Sequence, residues 1–178
     1  MKSIYSLVFF LMIVLVSCTS KPSLQEYFVE HSENKNFIAL DLSPTILNID
    51  KSKLTPEENA ALQSFKKMNI LAFKRNDQNK AAFEAERTKV SVLLKDEKYQ
   101  KLMKLGSGKE GVAVSFVGDD EHIQEFVLFA NKKENGFAVI RILGKDMNPS
   151  GMMTLMEVLK KGEMNWEQLK PLQEILKN

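Results

Sequence analysis

Cysteine is almost absent, since the 178 residues contain one, Cys18. An internal disulfide is therefore excluded. Histidine is nearly as rare: His31 and His122 are the only two, and neither lies in a recognisable nucleophile or zinc signature. An excess of charge of one sign is missing as well. The 25 basic and 23 acidic residues give a formal charge of +2 and are interspersed along the chain, which leaves no footprint for nucleic acid. There is no low-complexity tract and no internal repeat. The longest uninterrupted apolar run near the start, Leu7 to Val16, has ten residues. It makes ~15 Å of helix, about half of a ~30 Å hydrocarbon core, and is too short to read as a membrane span.

That run is nevertheless the most informative segment. Lys2 precedes it as a positive n-region, the run itself is an h-region, and Leu15-Val16-Ser17-Cys18 follows at its end. These four residues resemble the lipobox of bacterial lipoproteins. A thiolate is the side chain best suited to take a diacylglyceryl group as a stable thioether. Cleavage between Ser17 and Cys18 would leave the Cys18 amine free for N-acylation, and two or more acyl chains hold a protein firmly where one does not. The expectation is a signal peptide over residues 1–17, a lipidated Cys18 with a short linker to residue 23, and no other cofactor. The linker extends to at most ~18 Å, which keeps the domain close to the membrane. The resemblance to lipoproteins implies outer-membrane delivery when no aspartate follows the cysteine, and here Thr19 follows Cys18. The acidic run that resembles a surface-export signal in some Bacteroidota lipoproteins is missing as well. The expected location is thus the outer membrane, facing the periplasm.

Removal of residues 1–17 leaves 161, suited to one domain with a real core, expected over residues 24–160, with an amphipathic tail over 161–178. Leu24 to His31 reads as a helix, and Phe37 to Leu42 as a strand with Ile38, Leu40 and Leu42 on one face. Thr55-Pro56-Glu57-Glu58 combines an N-cap, a proline at the first helical position and a glutamate placed to close a capping box. Ile70-Leu71-Ala72-Phe73 has the continuous apolarity of a central strand covered on both faces. Phe83, Arg87, Val90 and Leu94 recur at helical spacing, and Tyr99, Leu102 and Met103 are assigned to a further piece of helix. From Gly111 the period becomes 2. Val112 to Val117, Phe126 to Ala130 and Ala138 to Ile142 form an antiparallel meander joined by short polar turns. Asn148-Pro149 opens a helix with Met152, Leu155, Met156 and Leu159 on one stripe. The whole reads as an α+β two-layer sandwich, with helices over one mixed sheet of about five strands ending in an antiparallel meander.

This order, together with the Phe28 helix, the Ala39-to-Asp41 strand, Ile70-Leu71-Ala72-Phe73, Tyr99-Gln100-Lys101-Leu102-Met103, Val112-Ala113-Val114 and Val139-Ile140-Arg141-Ile142-Leu143-Gly144, resembles a family of Bacteroidota envelope proteins classified as a domain of unknown function, number 4252. The resemblance spans roughly residues 24–160. In that family Gly144 is usually followed by an apolar-acidic-apolar stretch, where this chain has Lys145-Asp146-Met147. A fold is implied, but no activity.

Gly106-Ser107-Gly108-Lys109-Glu110-Gly111 is a literal G-x-G-x-x-G. A dinucleotide fold needs it after a strand and before a helix whose N-terminus holds the pyrophosphate. Here a helix is expected before it and a strand after. A kinase glycine loop does enter a strand, but no catalytic-loop or magnesium-binding motif follows. A Walker loop would need Ser or Thr where Glu110 stands. The reading is a flexible helix-to-strand connection using glycine for positive φ. Asp119, Asp120, Glu121 and His122 cluster without EF-hand spacing and read as a solvated turn.

Five methionines, Met147, Met152, Met153, Met156 and Met164, fall within 18 residues. Thioethers suit Cu(I), but the helical stripe points first to adaptable core packing. A deformable interaction face of Met152, Met153, Met156 and Trp166 is the second reading. The tail carries Trp166, Leu169, Leu172, Ile175 and Leu176, and Pro171 breaks or restarts its helix. No catalytic residues and no metal ligands are assigned. The expectation is a non-enzymatic interaction or assembly module, anchored to the membrane and meeting an envelope protein partner. The alternatives are a small-ligand or copper-binding periplasmic carrier and an uncharacterised envelope enzyme built around His31 or His122.

Overall fold

Two reciprocal capping boxes fix where the first two helices begin. The Ser23 hydroxyl accepts the Glu26 N–H at 3.1 Å while the Glu26 carboxylate accepts the Ser23 N–H at 2.8 Å, opening α1 (Leu24–His31). Thr55 and Glu58 do the same at 3.2 and 3.0 Å and, with Pro56 in the first turn, open α2 (Pro56–Ser64). Each box satisfies two backbone donors that the helix itself cannot. This computed structural model describes residues 21–106, 110–161 and 163–164. Ser17, Cys18, Trp166 and, apart from residues 161, 163 and 164, the expected tail lie outside them. Among the described residues no helix is long and apolar enough to cross a membrane.

The remaining elements are β1 (Phe37–Leu42), β2 (Leu47–Asn48), β3 (Phe65–Lys74), α3 (Lys80–Leu93), β4 (Gln100–Leu105), β5 (Gly111–Val117), β6 (Ile123–Lys132), β7 (Gly136–Met147), α4 (Pro149–Lys161) and β8 (Glu163–Met164). Six strands form one open sheet in the order β1-β3-β7-β6-β5-β4, and β2 pairs with β8. Every pairing is antiparallel. The meander β4 to β7 runs back across the sheet until β7 lies against β3, and α3 carries the chain from β3 to the far edge.

The α+β class holds, with three differences in detail. First, the segment around Leu102 and Met103 is strand β4 and not helix. A bulge between Lys101 and Met103 shifts the register, so the alternation of period 2 is interrupted at the point where apolar residues fall three and four apart. Second, the sheet has six strands and is antiparallel throughout where a mixed sheet of about five was expected. Third, helices lie on both faces, making three layers where two were expected. Leu71, Phe73, Val127, Phe137 and Val139 pack with Leu24, Tyr27 and Phe28 of α1 and Phe83 and Val90 of α3. The alternate residues Phe116, Phe126 and Ile142 pack with Ala61 and Leu62 of α2 and Leu155 and Leu159 of α4. Successive side chains point to opposite faces of a strand, so the continuous apolarity of Ile70 to Phe73 is the signature of this double cover.

Aromatic rings fill the first of these cores. Phe73 stacks on Phe137 at 5.6 Å and meets Phe37 edge-on at 5.1 Å. The turn into β7 depends on Gly136, whose φ is +131°; a Cβ there would stand 1.9 Å from the Phe73 carbonyl oxygen. The methionine stripe divides. Leu155, Val158 and Leu159 are buried, Met152 is half-buried, and Met153 is 72% exposed.

Urea unfolding checks this packing. Leu155→Ala is expected to cost about 2–5 kcal/mol, and Met153→Ala to stay within about 0.5 kcal/mol of the parent. Gly136→Ala is expected to cost about 3 kcal/mol or more, through strain and backbone collision. A Met153→Ala loss as large as that of Leu155→Ala would contradict the assignment of α4 faces.

Candidate interaction surface

Helix α3 is amphipathic in an unusual way, because its buried face carries a charge. Phe83 and Val90 are buried, and Arg87 lies between them, bonded to Glu84 at 2.5 Å. Its outer face leaves Val92 58% exposed. That ridge separates two grooves that share Thr88, Val92 and Lys95. One, about 930 Å³, runs between α1 and α3 and is bordered by the incoming linker at Lys21, Pro22 and Ser23. The other, about 630 Å³, lies between α3 and strands β4 to β6. Phe129, Val112 and Leu94 are apolar parts of its wall, and Arg87, Lys95, Lys101 and Lys104 contribute cationic side chains.

Beside the first groove sits a polar network that ties α1 to α3. The Tyr27 hydroxyl donates to Glu86 Oε2 at 2.9 Å, His31 Nε2 stands 3.1 Å from the same oxygen, and Lys89 Nζ donates to Oε1 at 2.8 Å. His31 is buried, stacked on Tyr27 at 4.2 Å, with Nδ1 3.0 Å from the Tyr27 carbonyl oxygen. Burial pushes the Tyr27 phenol well above its ordinary range, and the neighbouring Glu86 carboxylate, which prefers the protonated donor, raises it further. Burial alone would raise Glu86. The hydrogen bonds from Lys89 and Tyr27 and the charge of Lys89 outweigh it and hold the carboxyl below its usual range. The phenol of Tyr99, buried and facing Glu125, is pushed up to about 12.

A second polar cluster lies on the same sheet face. Arg141 Nε donates to Glu125 at 2.6 Å, its Nη1 donates to Gln25, and its guanidinium lies 5.4 Å from the Phe28 ring centre. Both Arg141 and Glu125 side chains are largely buried, so each depends on the other for compensation. A charge inside the apolar run Val139 to Leu143 was the signal in the sequence for a buried partner, though the partner itself was not readable.

The two histidines are not brought together. His122 sits in the β5–β6 turn, where Asp119 accepts the N–H groups of Glu121 at 3.1 Å and His122 at 2.9 Å and lies 3.0 Å from His122 Nδ1. These bonds hold Asp119 low and raise His122, both exposed to solvent. The acidic cluster thus closes a turn. Among the described residues no three His, Cys, Asp or Glu side chains are placed to share a metal ion. The glycine motif joins strand β4 to strand β5 rather than helix to strand. Gly106 and Gly111 adopt φ of +101° and +129°, and a Cβ on Gly111 would stand 2.0 Å from the Leu105 carbonyl oxygen. Residues 107–109 lie outside the described residues. Of the expected Met face, Met153 and Met156 are exposed and Met152 is half-buried.

The α1–α3 network predicts a pH signature. Tyr27 binds its proton more tightly when folded, so its contribution is complete below the ordinary tyrosine range near ~10 and is lost as pH rises through the folded value. Glu86 has the opposite sign. Its contribution is present above the ordinary glutamate range near ~4.3 and is lost as pH falls through the folded value. Tyr27→Phe is expected to cost about 1 kcal/mol near neutrality and to flatten the alkaline fall in stability, with Tyr99 supplying the remainder. Thermal melts from pH 3 to 12 read both limbs, and an unchanged alkaline limb in Tyr27→Phe would refute the assignment.

Residues 27–155 match the model of a family described as a domain of unknown function, DUF4252. No curated protein and no solved structure matches the chain. The match runs from the buried Tyr27 of α1 to the buried Leu155 of α4 and takes in all six strands of the sheet. The chain belongs to the DUF4252 family.

Proposed function

We propose that the chain is a bacterial envelope lipoprotein, anchored through a diacylglyceryl thioether and an N-acyl chain on Cys18, whose domain serves as a non-enzymatic interaction or assembly module. The observation that carries the anchoring is the position of the chain's single cysteine at the end of a ten-residue apolar run, within Leu15-Val16-Ser17-Cys18. Support for an interaction role comes from the disposition of the chemistry-bearing side chains. His31 is sealed beneath Tyr27 and bonded into the α1–α3 joint, and His122 closes a turn, so both have structural work. The exposed apolar side chains Val92, Leu102, Met103, Leu105, Met153 and Met156 are instead available to a protein partner. The domain would stand on the periplasmic side of the outer membrane of a Bacteroidota cell, within the ~18 Å reach of its linker.

The carrier reading has one observation in its favour, the groove of about 930 Å³ between α1 and α3. Titration of the full chain in neutral detergent with a fluorescent fatty acid, and separately with Cu(I), tests it. Saturable fatty-acid binding weakened in Tyr27 or Val92 variants, or saturable Cu(I) binding, would favour the carrier over the interaction module.

Expression of the full precursor with labelled palmitate is expected to give a labelled, membrane-sedimenting protein. Cys18→Ser is expected to abolish both label and sedimentation. Crosslinking in intact cells is expected to capture discrete envelope proteins with the parent. Unlabelled parent protein would overturn the anchoring, and a labelled parent that captures no discrete neighbour would overturn the interaction role.

A further inference from the structure

Strand β4 ends the sheet, and all six of its residues are exposed. Its outer backbone donors and acceptors have no neighbouring strand among the described residues, the arrangement that accepts an added strand. We infer that this edge binds an extended, acidic segment of a partner protein, which joins the sheet as a seventh strand. This deepens the interaction-module reading, on which it rests, by naming the partner's chemistry.

The charge pattern carries the inference. Without the bulge, Lys101 and Lys104, three apart, would fall on opposite faces of the strand. With it, Lys101 lies opposite Ser115 and Lys104 opposite Ala113. Ser115 in turn faces Val127, a member of the core beneath α1 and α3. Both lysines therefore stand on the α3 side, where they line the 630 Å³ groove with Arg87 and Lys95. Neither lysine forms an ion pair among the described residues. An added strand with acidic residues at alternate positions would direct them to this side, next to Lys101 and Lys104. Its other side chains would point to the opposite face of the sheet, on which Val114 of β5 packs against the core beneath α2 and α4.

The same charges reject a second copy of this chain. An antiparallel self-pairing that uses all six residues of β4 puts Lys101 opposite the other copy's Lys104, twice, and like charges directly opposite one another are destabilising. Lysines on an edge strand are a general defence against self-association. An acidic partner converts that repulsion into attraction.

The test uses the full chain in neutral detergent and two capped, fluorescent octapeptides, one of alternating Val and Glu and one of alternating Val and Lys. The Glu peptide is expected to bind saturably, more weakly as salt rises, and to slow hydrogen exchange within residues 100–105. The Lys peptide is expected not to bind. Lys101→Glu with Lys104→Glu is expected to weaken the Glu peptide about tenfold or more. Lys101→Gln with Lys104→Gln, neutral at both positions, is expected to weaken it less and to match the parent in thermal unfolding. No saturable binding up to about 1 mM, protection that maps away from residues 100–105, or equal binding by the charge-reversed variant would each overturn the inference. Crosslinking of the lipidated protein reads the broader interaction role separately, so partners captured away from β4 would leave that role standing while this inference falls.

Discussion

Burial of the central strands on both faces is the constraint from which the rest of the molecule follows. Leu71, Ala72 and Phe73 of β3 and Val139 of β7 are at or near zero exposure, which one helical layer cannot achieve. Apolar surface removed from water stabilises by roughly 25 cal/mol per Å², and a sheet that hides both faces needs helices above and below. α1 and α3 meet that need on one side, α2 and α4 on the other. The chain route is set by the same requirement. α3 must leave β3, second from one edge of the sheet, and deliver the chain to the far edge, from which the meander fills the space between.

The buried ion pairs named above lie on the α1 and α3 side, whereas Glu58, buried in α2, closes a capping box on the other. Arg141 with Glu125 and the Tyr27–Glu86–His31 group lie where short α1 meets the sheet and α3. A helix of eight residues contributes little stability by itself, so its position depends on contacts of this kind. Ion pairs and hydrogen bonds add direction to a contact that apolar packing alone would leave free to slide. Removing one member of such a pair would leave the other buried and uncompensated, which ties α1 to the rest of the domain beyond the area it covers.

Coverage is least complete at the β4 edge. The sheet ends there in a strand exposed along its whole length, and the α3 ridge stops short of covering the neighbouring groove. The proposed anchor and the proposed docking edge are thus separate devices. The first depends on the chemistry of one thiol and the second on backbone groups and two lysines aligned by a bulge.

The local starts and stops of this protein were determined by its sequence alone. Thr55 and Glu58 close the capping box their spacing calls for, the continuous apolarity of Ile70 to Phe73 marks a strand covered twice, and the alternation from Val112 to Ile142 marks the meander. These depend on interactions within a few residues or on the fixed periods of helix and strand. The assignment of residues 100–105 depended on tertiary structure, because one extra residue opposite β5 erases the period that would have revealed a strand. The second helical layer did too, since a sequence records that a strand is buried but not by what. The glycine motif changed meaning for the same reason: its glycines relieve close backbone approach between two strands, a contact that exists only after they pair. Only the folded molecule decided which charges are structural. Arg141 lies in an apolar run, but Glu125, 16 residues away in the chain, and Gln25, 116 away, become its partners only when the strands and α1 are assembled.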